Sequence, residues 1–143
     1  MTHPFPAQML VTASAAIIFL LGAAHLAFTF SGTRLHPREP ELVARMEATP
    51  PVISRQTNMW KAWIGFNASH SLGAMLFGVV FAYLALVQPA LLFGTYFLGL
   101  TGLLTLAGYL ALARRYWFNR PLQGIGLALL PYVAAFALAL LQK

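Results

Sequence analysis

The chain has 143 residues, of which 59% are hydrophobic and 8% charged, against roughly 25% charged in an average soluble domain. So few charges could not cover a soluble globule of this length, and the mean hydropathy of +0.72 points to an integral membrane protein whose first partner is the lipid bilayer. The formal net charge of +6 does not indicate nucleic-acid binding, because no basic stripe with interleaved aromatics is present. The lack of cysteine removes disulfides, thiolate metal sites and cysteine nucleophiles.

Four apolar segments follow in chain order, at about 10–30, 60–87, 90–113 and 121–141. Each is about 20 residues or more, long enough for roughly 30 Å of hydrocarbon. The first could pass for the apolar part of a signal peptide. The stretch MTHPFPAQM before it lacks Lys and Arg, however, and the apolar run continues through LAFTF, so it reads as a retained helix. In the loop that follows, EPELVARMEATPP places Pro40 at a helix start, Leu42, Val43 and Met46 on one face, and Glu41 and Arg45 as an i,i+4 pair. This predicts a short interfacial helix between the first two spans. The second and third segments are separated only by QPA and form a tight hairpin. No acidic residue lies in any of the four. The expected fold class is therefore all-α: one domain, a four-transmembrane-helix bundle.

Orientation follows from the basic residues. Arg34, Arg38, Arg45, Arg55 and Lys61 lie between the first two spans or at the mouth of the second, and Arg114, Arg115 and Arg120 lie between the last two. Only Lys143 falls on the other side. The positive-inside rule then expects both basic loops in the cytoplasm and both termini outside, in a bacterial cytoplasmic (inner) membrane. Trp60, Trp63, Trp117 and Tyr116 fall at the cytoplasmic mouths, where amphipathic rings favour the interface. Small residues mark packing faces: Gly65, Ser69 and Gly73 on the second span, Gly99 and Gly102 on the third.

The polar residues at membrane depth carry the functional question. His25 lies about five residues before the cytoplasmic end of the first span, roughly 7–8 Å deep. His70 enters from the same side in the second span, and Tyr109 lies near the same end of the third. Asn67, His70 and Ser71 share one helical face at i, i+3 and i+4, and Trp63 continues that face toward the surface. Unsatisfied polar groups in hydrocarbon cost several kcal/mol, so these side chains are expected to face inward, with His70 and Asn67 meeting His25 or Tyr109. They form a candidate binding site for a small or lipid-like amphipathic ligand: His25, Trp63, Asn67, His70, Ser71 and Tyr109. Set against this is a structural or accessory subunit in which the same residues only join helices or hold another membrane protein. A third reading makes His25 and His70 the axial ligands of a haem b, with Gly22 and Gly73 leaving room and Arg34 and Lys61 meeting propionates. A non-haem metal site is not expected, because two imidazoles without Cys or carboxylate rarely complete one. A proton-driven exporter would have to run on histidine alone, for want of an intramembrane carboxylate. Nothing in the pattern decides for or against an enzyme.

The stretch MWKAWIGFNASHSLGAMLFG resembles an uncharacterised family of small four-helix bacterial membrane proteins that share a W-x-G-F-N-x-S-H-S-x-G-like signature. The resemblance covers most of the chain, including the histidine of the first span and the turn RYWFNRP. It implies the same four-span fold and a shared site at Trp63, Gly65, Phe66, Asn67, Ser69, His70, Ser71, Gly73 and His25. It implies no substrate.

Overall fold

The computed structural model describes residues 5–141, and every regular element among them is an α-helix. In chain order these are α1 (Phe5–Phe30), α2 (Pro40–Ala48), α3 (Met59–Val87), α4 (Pro89–Gly94), α5 (Tyr96–Tyr116) and α6 (Asn119–Leu141). Four of them, α1, α3, α5 and α6, are long and apolar enough to cross a membrane. The fold class is thus all-α with four spans. The short helix expected between the first two spans is present as α2, with Pro40 at its first turn. Its Arg45 and Glu41 stand 3.7 Å apart, both exposed, an ion pair that contributes little in water.

The third apolar segment is not one helix. Thr95 adopts an extended conformation (φ −124°, ψ 133°) and separates the short α4 from α5. The neighbouring Gly94 is a weak helix former, and a β-branched residue costs little outside the helix. Hydrophobic periodicity sees only the continuous apolar run. At the start of α3, Asn58 acts as the N-cap: its Oδ1 accepts from Lys61 N–H at 2.9 Å, satisfying one of the orphan donors of the first turn.

By internal contacts the chain divides into two compact units, residues 1–21 with 74–143, and residues 22–73. The first unit holds the apolar core. Ala7, Val11, Ala15 and Ile18 of α1 are buried there, as are Ala74, Phe77, Phe81 and Ala85 of α3 and Ile125, Ala128, Tyr132 and Ala135 of α6. Burial of this kind gains little from the hydrophobic effect, since lipid tails are as apolar as leucine. Close packing supplies the stability instead. Gly78 lets α3 pass close to α1: a Cβ there would stand 2.6 Å from Phe19 Cβ and 2.8 Å from the Ala15 carbonyl oxygen. Ala74 and Ala82, one turn to either side, extend the small-residue stripe.

Tyr132 is the pivot between α5 and α6. It is 1% exposed, and its hydroxyl donates to Gly99 O at 3.1 Å. Its ring lies edge-on to Phe81 at 5.7 Å and tilted against Phe136 at 5.0 Å, while Phe77 stacks on Phe81 at 4.4 Å. Gly99 and Gly102 make room for this aromatic row: a Cβ on Gly99 would strike Phe136, and one on Gly102 would strike Tyr132 and Phe81. The packing role expected of these two glycines therefore holds. That expected of Gly65 does not, since a Cβ there would meet nothing within 4 Å. Ser69 and Gly73 are likewise exposed.

Candidate functional site

The second unit, residues 22–73, joins the end of α1 to the start of α3 through the long loop and α2. Its contacts show an antiparallel pair. Going from α1 into the loop, His25 meets Asn67, Leu35 meets Trp63 and His36 meets Trp60, so the partners descend along α3 as the first chain advances.

Asn67 is the centre of the polar cluster, only 8% exposed. Its Nδ2 donates to Trp63 O, one turn back on α3, at 2.8 Å. That bond fixes which way the amide faces, because only the nitrogen can donate to a carbonyl. The Oδ1 therefore points across the helix interface, where His25 Nε2 lies 3.0 Å away. An amide oxygen only accepts, so His25 carries its proton on Nε2 in this contact. The His70 ring stands 5.7 Å from that of His25, centroid to centroid, with the planes at 87°. His70 and His25 are half-buried.

The hydroxyls nearby are turned to their own helices. Ser71 Oγ donates to Asn67 O at 2.8 Å, and Thr29 Oγ1 to His25 O at 2.8 Å. Each bond runs from residue i to i−4, the usual way for a serine or threonine to be satisfied inside a helix. Both residues are buried.

Trp63 is 41% exposed, and its indole Nε1–H donates to Leu35 O at 3.1 Å. This fastens the loop after α1 to the first turns of α3, a role that the interfacial preference of tryptophan does not reveal. His36 is exposed, and its ring packs edge-to-face against Trp60 at 4.8 Å. The Arg34 guanidinium lies 4.2 Å above the Phe28 ring, a cation–π contact.

The structure thus brings together four of the six residues expected at the site, His25, Asn67, His70 and Ser71, with Trp63 one turn away. Tyr109 belongs to the first unit, where it is half-buried against the apolar core. The groups at the cluster that sequence reasoning missed are Thr29 and the Leu35 carbonyl. For Thr29 the signal was present: it stands at i+4 from His25, on the same helical face.

The cluster combines a fixed donor–acceptor pair with a second imidazole at its edge. Such a set can hold a polar head group or pass a proton between nitrogens. Axial ligation of a haem needs a bare ring nitrogen aimed at iron. In the arrangement seen here His25 Nε2 is a donor, so that role would require its release from Asn67 or ligation through Nδ1. No group of three or more His, Asp or Glu side chains able to hold a metal ion occurs among the described residues. Comparison with protein-family models, curated proteins and solved structures finds no match to this chain.

Proposed function

We propose that this membrane protein binds a small amphipathic or lipid-like molecule at His25, Asn67 and His70. The observation that carries the reading is the oriented Asn67 amide, held by Trp63 O on one side and by His25 Nε2 on the other, with the His70 ring edge-on to His25. An amide and two imidazoles within the apolar spans are costly to place, and polar groups at that depth mark functional sites by default. In this reading the imidazoles engage the ligand's polar head. Ser71 shapes the floor of the site, and Trp63 with Arg34 and Lys61 guards its mouth. The ligand's tail lies among the apolar helices. In this reading the site lies in the cytoplasmic leaflet of a bacterial inner membrane with both termini outside, which the positive-inside rule supports through the basic loops. The signature from Trp63 to Gly73 is the sequence form of this site.

One observation favours a second reading, a structural or accessory subunit. The Asn67 amide is bonded at both ends, and the Ser71 and Thr29 hydroxyls are satisfied within their own helices. A cluster that needs nothing further can serve as a clasp between helices.

The test is mass spectrometry of small molecules that remain bound to the purified protein, with a visible spectrum of the same sample. His70→Ala should release a bound amphiphile while circular dichroism and thermal unfolding stay near those of the wild type. Loss of folding with no ligand to lose would favour the clasp. A Soret band abolished by His25→Ala or His70→Ala would replace the amphiphile with haem b.

A further inference from the structure

The loop between α2 and α3 carries an aliphatic pair that no other described residue covers. Its base is closed by Met59 N–H donating to Thr49 O at 2.9 Å, so residues 49–59 form a compact loop with adjoining ends. Within it Ser54 N–H donates to Pro51 O at 3.2 Å and makes a tight turn. The two central positions of that turn are Val52 and Ile53, whose relative exposures are 110% and 92%. Turn corners favour Gly, Pro, Asn, Asp or Ser, each for a local backbone reason. Valine and isoleucine have none of those reasons, and here they have no packing reason either.

We propose that the Val52–Ile53 turn is a membrane anchor, inserted among the lipid head groups beside the start of α3. Three observations point to lipid as the partner. First, the base of the loop adjoins Trp60 and Trp63 at the beginning of a membrane span, and tryptophan at a span's end sits at head-group level. Second, Ile53 is four residues from Thr49, so the tip lies within about 14 Å of that base. Third, the segment 49–61 carries Arg55 and Lys61, both exposed, and no acidic residue. That charge complements anionic lipid head groups and does not oppose insertion. The nearby α2 has no buried residue, and its Leu42 is 42% exposed. Turn and helix together would lay residues 40–58 on the bilayer surface.

The lack of cysteine makes the test direct, because Val52→Cys, Ile53→Cys and the reference Arg38→Cys each give a single labelling site in the full chain. Each variant carries a fluorescent label and is placed in lipid discs of phosphatidylcholine, with or without phosphatidylglycerol. Labels at 52 and 53 should be quenched by nitroxides high on the acyl chain. They should be shielded from iodide severalfold better than the label at 38, and more so with the anionic lipid. In unlabelled protein, Val52→Ser with Ile53→Ser should speed trypsin cleavage after Arg55 severalfold. Iodide access at 52 and 53 equal to that at 38, or protection that appears only when another protein is added, would overturn the proposal. Unchanged cleavage would do the same.

Discussion

Asn67 and His25 join α1 to α3 by a side-chain-to-side-chain hydrogen bond, Nε2 to Oδ1 at 3.0 Å. The bond joins residues 42 positions apart and is oriented by a second bond, from Asn67 Nδ2 to Trp63 O. Its removal should be felt at both partners. Asn67→Leu and His25→Leu should each lower stability in detergent, and the double variant should lose less than the sum. Interhelical hydrogen bonds in membranes average about 0.6 kcal/mol, with a maximum near 1.7, which sets the expected coupling. A double-mutant cycle that closes with no coupling would mean that the two side chains do not interact in the membrane.

Two glycines of the same helix should respond oppositely to alanine. Gly78→Ala places a Cβ against Phe19 and the Ala15 carbonyl, so α1 and α3 must separate there. Overpacking of this kind typically costs about 1–3 kcal/mol. Gly65→Ala meets open space, and relief of glycine's backbone entropy should leave the protein unchanged or more stable by about 0.5–1 kcal/mol. Thermal unfolding of the two variants side by side decides this. Equal destabilisation would mean that the face of α3 carrying Gly65 is covered in the native assembly.

Tyr132→Phe should cost about 1 kcal/mol, the usual net worth of a buried hydrogen bond, by removing the donor to Gly99 O. The ring contacts with Phe81 and Phe136 stay in place. Tyr132→Ala would empty the aromatic row as well and should lose several times more. Similar losses for the two variants would show that the hydroxyl, not the ring, holds α5 to α6.

Ser14 offers the converse. It is fully buried in α1, and its Oγ has no hydrogen-bond partner among the described residues. Ser14→Ala removes an unsatisfied polar atom and should raise the unfolding temperature, by up to about 1–3 kcal/mol of stability. A clear loss of stability would show that the hydroxyl is bonded in the membrane-embedded protein.

The basic residues predict the topology. Reporter fusions should place 31–58 and 114–120 on the cytoplasmic side and a fusion after residue 141 outside. A cytoplasmic C-terminal reporter would reverse the assignment and move the His25–Asn67 pair to the other leaflet.

The spans were legible because each is an apolar run of membrane length, and α2 because Pro40 and the Leu42, Val43, Met46 face declare a short amphipathic helix. The break at Thr95 was not, because threonine and glycine within an apolar run change neither length nor hydropathy enough to mark an end. The meeting of Asn67 with His25 followed from shared depth and the cost of a lone amide in hydrocarbon. Its orientation did not follow, since that rests on a backbone carbonyl, Trp63 O, which the sequence does not display. The partner of the Trp63 indole is hidden for the same reason: it is the Leu35 carbonyl. Ala74, Gly78 and Ala82 recur every four residues just as Gly65, Ser69 and Gly73 do. Pattern alone could not tell which stripe faces a helix.

The interruption at Thr95 also sets a length. It leaves α5 with 21 residues, about 31 Å at 1.5 Å per residue, whereas α3 with 29 residues reaches about 43 Å. The hydrocarbon layer is about 30 Å thick. The longer helix can tilt or project from a thinner bilayer, but the shorter one has no slack to span a thicker one. α5 is therefore the element that matches the protein to its membrane. Lengthening the acyl chains of the surrounding lipid should strain that helix, and the Thr95 corner above it, before any other span.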